Sequence, residues 1–176
     1  MTTRAVVHLF AVIVTATAFA HAQQQVGVPV PSLGAGPFVF DTAEQPKIRV
    51  TVVARGLSHP WAIAFLPDGA MLIPERSGQL RIVRNGVLDP TPIAGVPRVR
   101  TDGNGGLMDV ALHPRFTENH LVYFTYTKPV ENGKGTPALA RGRLDGNKLS
   151  EVKDLVVPDA YEGNGGLNGR VVFGRT

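Results

Sequence analysis

The sequence predicts an all-β chain: an incomplete β-propeller of about two four-stranded blades and the start of a third. Three observations predict it. Glycine and proline are frequent, 20 and 14 of 176 residues, which disfavours long helices and favours a turn-rich β protein. Short apolar runs alternate with turn signals such as Pro67-Asp68-Gly69 and Asn85-Gly86, where proline presets φ and Gly or Asn accepts positive φ. The pentapeptide Gly103-Asn104-Gly105-Gly106-Leu107 recurs 60 residues later as Gly163-Asn164-Gly165-Gly166-Leu167, and Phe65-Leu66-Pro67 matches Leu112-His113-Pro114 at an offset of 47. Units of roughly 40 to 50 residues with four strands each are the pattern of propeller blades, which must stack on neighbours to bury their faces.

The first residues stand outside that plan. Arg4 is the only charge before the apolar run Ala5–Ala20, which leads into Ala20-His21-Ala22 and Gln23. A basic start, an apolar centre and a small-x-small site predict a secretory signal peptide over residues 1–22. The run of 16 residues is shorter than the roughly 20 that a membrane helix needs. A periplasmic or secreted chain with no stable membrane span after cleavage is therefore expected. Residues 23–47 read as a flexible lead-in with a short strand at Phe38–Phe40, and residues 48–176 as the propeller part.

From Ile48 the elements follow in order. Ile48–Val53 alternates with period two and reads as a strand. Trp61–Phe65 opens the first blade, Leu66–Gly69 turns it, and Ala70–Ile73 and Gln79–Arg84 complete a three-stranded meander. The second unit opens with Leu107–Leu112 and turns through His113-Pro114 to Asn119. It continues as Leu121–Tyr126 and Ala138–Leu144, then crosses Asp145-Gly146 into Lys148-Leu149 and Val152–Val157. Gly169–Gly174 reads as the first strand of a third unit. An end at Thr176 inside an apolar strand predicts a piece of a longer protein.

Several function classes fall away. The formal charge of +4 is spread over scattered Lys and Arg, and no basic run is interleaved with aromatics, so nucleic-acid binding has no support. Cysteine is absent, which excludes thiolate catalysis, thiolate zinc sites and iron–sulfur clusters. A dinucleotide loop needs a sixth-position glycine before a helix, yet that residue is Met108 in the first copy and Asn168 in the second. Ser77 lies outside any G-x-S-x-G elbow. His59, His113 and His120 sit at turns or strand starts with no acid at ligand spacing, so no metal site is expected.

Each copy of the glycine loop precedes the inner strand of a blade. Both are expected at the mouth of one central channel, where glycine lets a ligand or a backbone come close; a plain tight crossing between blades is the other reading. Trp61 reads as core between blades, with stacking on a ligand as its alternative. Glu75, Arg76 and Arg170 either line the channel or make ion pairs between blades, and Asp109 reads as a turn cap.

These residues carry a resemblance. The ordered series His59-Pro60-Trp61, Leu66-Pro67-Asp68-Gly69, Glu75-Arg76, Gly105-Gly106-Leu107 and Leu112-His113-Pro114 resembles the opening blades of the soluble quinoprotein glucose/sorbosone dehydrogenases, also called PQQ-dependent aldose sugar dehydrogenases. It extends over about Ile48–Gly174. The resemblance implies a six-bladed propeller that holds pyrroloquinoline quinone (PQQ) and calcium and oxidises a sugar at its anomeric carbon, with a histidine as general base. Such a division of labour is physically sensible, because the quinone carries the redox chemistry and an imidazole titrates near neutrality.

Two positions depart from the family pattern. The place of the base histidine is Gly166, so no catalytic residue is assigned, and a glutamine that helps hold sugar or quinone is Asn104. Asn104, Asn164 and Asn168 are the candidates for lining the pocket. The remaining quinone contacts and the calcium ligands are expected beyond Thr176. The resemblance thus implies a sugar-oxidising enzyme of which this chain alone is inactive. A non-catalytic exported propeller that binds a ligand or a partner protein is the alternative, and no oligomeric state is implied.

Overall fold

The computed structural model describes residue 34, residues 36–159 and residues 169–174. Apart from Gly34 these belong to one compact unit, Gly36–Thr176. The predicted signal peptide and the second glycine loop lie outside the described residues.

The fold is all-β. A hairpin of β1 (Phe38–Phe40) and β2 (Ile48–Val50) precedes two four-stranded antiparallel blades. The first blade is a meander of β3 (Ala64–Phe65), β4 (Met71–Pro74), β5 (Leu80–Arg84) and β6 (Val87–Leu88). The second is a meander of β7 (Leu107–Leu112), β8 (Leu121–Pro129), β9 (Gly135–Asp145) and β10 (Lys148–Val156). Between β7 and β8 the chain makes one helical turn, α1 (Phe116–Asn119).

Local chemistry explains the corners. Gly69 donates to the Leu66 carbonyl at 2.9 Å, and the Asp68 carboxylate accepts from the Ala70 N–H at 3.0 Å, an Asx turn that closes β3 onto β4. Asn85 and Gly86 both take positive φ, 52° and 76°, and so give the tight β5–β6 turn. The turn after β7 is stitched by His113, whose Nδ1 accepts from the Arg115 N–H at 3.0 Å and the Asn119 amide at 2.8 Å.

One apolar cluster serves both blades. Ala64, Leu72, Leu80 and Ile82 of the first meet Leu107, Val110, Val122, Phe124 and Ala140 of the second. Each fully buried side chain of that size contributes about 1.5–3 kcal/mol. The crossing segment joins the two sheets at their rims. Ile93 bridges to Leu80 beyond the end of β6, and Ala94 pairs in parallel with Lys148.

The structure differs from the sequence reading in several places. Only Ala64–Phe65 of Trp61–Phe65 lies in a ladder, although Pro60 bridges Glu75. Pairing at Ile48–Val53 stops at Val50. Val87–Leu88 adds a fourth strand too short to leave a period. β9 begins at Gly135 and contains Pro137, tolerated because the β10 ladder ends at Val156 opposite Leu139; the outer side of β9 needs no donor there. Gly169–Gly174 carries no strand pairing among the described residues. It lies instead along β7 and β8, with Gly169 on Thr125, Val171 on Asp109 and Phe173 on Tyr123.

Candidate functional site

Three segments border the blades' first strands: His59–Trp61 and Gly103–Gly106, which Arg76 ties together, and Gly169–Val171, which is clasped to β7 and β8. The first is held by Glu75, a buried carboxylate. Its Oε1 accepts from the Ser58 N–H at 2.6 Å and its Oε2 lies 3.5 Å from the Arg81 guanidinium, which offsets the cost of burying the charge. His59 takes a left-handed φ of 49°, and the Trp61 N–H donates to the Pro74 carbonyl at 3.0 Å.

Arg76 joins the first segment to the second. Its backbone N–H donates to the His59 carbonyl at 3.1 Å, and its carbonyl accepts from the Leu107 N–H at 3.4 Å. Its guanidinium donates to the carbonyls of Thr101 and Gly105, each at 3.1 Å, and to that of Gly103. The glycine loop is therefore wrapped around one arginine. A Cβ on Gly106 would lie 2.7 Å from the Arg76 carbonyl oxygen, closer than a side chain tolerates. Thr127 closes the other side: its Oγ1 accepts from the Gly106 N–H at 3.2 Å and its N–H donates to the Gly106 carbonyl at 2.9 Å. Asn104 stands exposed at the crest.

Asp109 fastens the third segment. It is buried within β7, where Oδ1 accepts from the Val110 N–H at 3.0 Å and Oδ2 from the Val171 N–H at 2.8 Å. The Arg170 guanidinium lies 3.6 Å from Oδ1 and is largely exposed. Arg170 also lines an open groove of about 450 Å³ together with Leu57, Trp61, Ile63 and Ile73. Trp61 is 40 % exposed in this chain and forms a wall of this groove.

A second polar cluster lies apart from these segments. The Tyr126 hydroxyl donates to Asp154 at 2.8 Å, and Lys128 pairs with the same carboxylate at 2.6 Å. Burial first, and then the Asp154 carboxylate, push the Tyr126 hydroxyl well above the usual phenol range. It is a donor at neutral pH and no base.

Of the sequence candidates, Asn104 is described and exposed beside Arg76, while Asn164, Gly166 and Asn168 lie outside the described residues. Among the described residues Arg76 pairs with carbonyls and with no carboxylate, and Arg170 pairs with Asp109 of β7. Asp109 was legible as a cap but its cross-blade clasp was not. The available signal was an acid inside the apolar strand Leu-Met-Asp-Val-Ala-Leu, because a buried acid requires partners. Among the described residues no group of three or more His, Cys, Asp or Glu could hold a metal, and no helix is long and apolar enough to cross a membrane.

Two four-stranded antiparallel meanders packed on one shared core have the arrangement of neighbouring β-propeller blades. Residues 57–176 match the family described as Glucose / Sorbosone dehydrogenase, and the chain belongs to that family. It is 39% identical over 132 residues to the aldose sugar dehydrogenase YliI of Escherichia coli, covering 72% of this chain and 35% of that protein. It is 50% identical over 117 residues to an uncharacterized protein of Synechocystis, covering 62% and 28%. Among solved structures, a glucose dehydrogenase matches with a TM-score of 0.55 at 42% identity, over 58% of this chain and 33% of its own. The PQQ-bound aldose sugar dehydrogenase of Streptomyces coelicolor matches with a TM-score of 0.54 at 28% identity, over 62% and 33%. The chain thus spans about a third of the length of these relatives.

Proposed function

We propose that this chain supplies the first two blades, and the approach to the third, of an exported PQQ-type aldose sugar dehydrogenase, and that alone it turns over no sugar. The observation that carries the reading is that Trp61 of the first segment and Arg170 of the third line one groove, beside blades whose glycine loop is tied to the first segment through Arg76, in a chain of the glucose/sorbosone dehydrogenase family.

PQQ is a flat tricarboxylate, and the groove suits it in kind: a flat aromatic wall, apolar neighbours and an exposed guanidinium. The chemistry supplied by a bound quinone is two-electron oxidation at the anomeric carbon. The chain's own residues bind and orient. Arg170 pairs with a carboxylate, Trp61 and Ile63 exclude water from one face, and the exposed Asn104 amide on the glycine loop offers a donor and an acceptor. Residue 166 is glycine and takes no proton, so the sugar hydroxyl must lose its proton to another group. The described residues bring no three His, Cys, Asp or Glu together as a cation site, and no step is assigned to calcium. Export rests on the signal-like residues 1–22.

The test has two arms. The chain alone, given PQQ and calcium, is expected to show no dye-linked oxidation of any aldose; turnover would refute its dependence on further blades. A hybrid in which residues 48–174 replace the matching part of the Escherichia coli relative is expected to bind PQQ and oxidise sugar slowly, with Gly166→His raising the rate. A folded hybrid that neither binds PQQ nor oxidises sugar overturns the reading, and leaves the non-catalytic propeller in its place.

A further inference from the structure

We infer that Arg76 is a positioning residue that fixes where the exposed Asn104 amide is presented, by templating the glycine loop. The inference rests on the reading of Asn104 as a pocket residue. A loop spelled Gly-Asn-Gly-Gly has little conformational preference of its own, because glycine visits positive and negative φ alike. Left to itself it would present Asn104 in many places, and a ligand would have to meet the ordering entropy. The structure removes that freedom from one side. The single guanidinium of Arg76 spans the carbonyls of Thr101, Gly103 and Gly105, bracketing Asn104 within a loop of six residues.

The geometry is specific to arginine. Nε and Nη2 point to different carbonyls, as the planar fork of five N–H donors permits; the lysine ammonium is a single point and cannot span them. The backbone of Arg76 is itself fixed, by His59 on one side and Leu107 on the other, so the template does not shift with the loop. The contact is also close: a Cβ on Gly106 would meet the Arg76 Cγ at 2.7 Å. Thr101 and Gly103 are exposed, so water can satisfy their carbonyls when the guanidinium is removed, while the carbonyl of the buried Gly105 loses its donor and adds a local cost. Loss of Arg76 should therefore disorder the loop without unfolding the blade.

The experiment compares Arg76→Ala, Arg76→Lys, Asn104→Ala and the double variant in the full chain, with Leu144→Ala as a control that weakens the core away from the loop. Two readouts are taken: amide exchange across residues 101–106, and PQQ affinity from the fluorescence of Trp61. Arg76→Ala is expected to speed loop exchange at least tenfold and weaken PQQ binding several-fold. Arg76→Lys should give nearly the same result. Asn104→Ala should weaken binding without speeding exchange, and the double variant should bind no worse than Arg76→Ala, since a misplaced side chain has nothing left to lose. Leu144→Ala should lower the melting temperature and leave affinity unchanged.

Wild-type affinity in Arg76→Ala with a loosened loop overturns the positioning role alone. Additive losses in the double variant, or unchanged loop exchange, overturn it as well. Where the chain alone binds no PQQ, affinity is read in the hybrid with the remaining blades of the Escherichia coli relative; a folded hybrid that binds none overturns the functional reading and this inference with it, and the exchange data then still say whether Arg76 orders the loop.

Discussion

The Asp109 carboxylate and the Val171 N–H, 62 residues apart in the chain, meet at 2.8 Å. The bond ties the inner strand of one blade to the segment that continues beyond it, and it explains why a charged residue is kept inside an apolar strand. The same carboxylate holds the Val110 N–H and faces Arg170, so three partners depend on one side chain.

Asp109→Ala should remove both backbone acceptors and leave the Val110 N–H without its buried partner. The expected cost is about 1–3 kcal/mol, read as a lowered urea midpoint with an unchanged slope. Asp109→Asn retains one oxygen and should lose less. Equal stability of Asp109→Ala and the unmodified chain would show that the clasp carries no weight.

Gly106→Ala tests the closeness of the two blades. Its Cβ would lie 2.7 Å from backbone oxygen and side chain of Arg76, and neither can move freely. Such overpacking typically costs about 1–3 kcal/mol. Thermal denaturation should show the loss, and a melting temperature equal to that of the unmodified chain would mean the blades have room to part.

The outer rim predicts a pH dependence. Asp89 Oδ2 accepts from Asn147 at 2.9 Å, Oδ1 accepts from the Thr91 N–H at 2.9 Å, and Arg84 stands 3.5 Å away. The Asn147 hydrogen bond first, then that of Thr91, and more weakly Arg84, hold the carboxyl below its ordinary value of 3.8. A depressed acid contributes stability that is present above the ordinary value and lost as pH falls through the lowered one. Asp89→Asn should therefore be less stable than the unmodified chain at neutral pH, with the gap closing below about pH 4. A gap that is constant from pH 7 to pH 3 would contradict the assignment.

The blade plan was legible because its signals are local. Pro67-Asp68-Gly69, Asn85-Gly86 and Asp145-Gly146 each mark a corner by their own φ preferences, β8 appears where β-branched and aromatic residues cluster, and β7 appears as a short apolar run. Strand ends were less legible, since Trp61–Ile63 is apolar but its ladder partner is not set by its own residues. The site was the least legible part. Arg76 looked like an ion-pairing residue, yet its partners are backbone carbonyls, which leave no trace in side-chain chemistry.

The most direct test of the central claim uses a property of the composition: Trp61 is the single tryptophan in the chain, and it forms a wall of the groove that also holds Arg170. Titration with PQQ, corrected for absorbance, should quench its fluorescence saturably, and Arg170→Ala should raise the dissociation constant roughly tenfold, the size of one lost charge-assisted hydrogen bond. Quenching that never saturates, or saturates identically without the Arg170 guanidinium, would contradict a quinone site at the meeting of these inner strands.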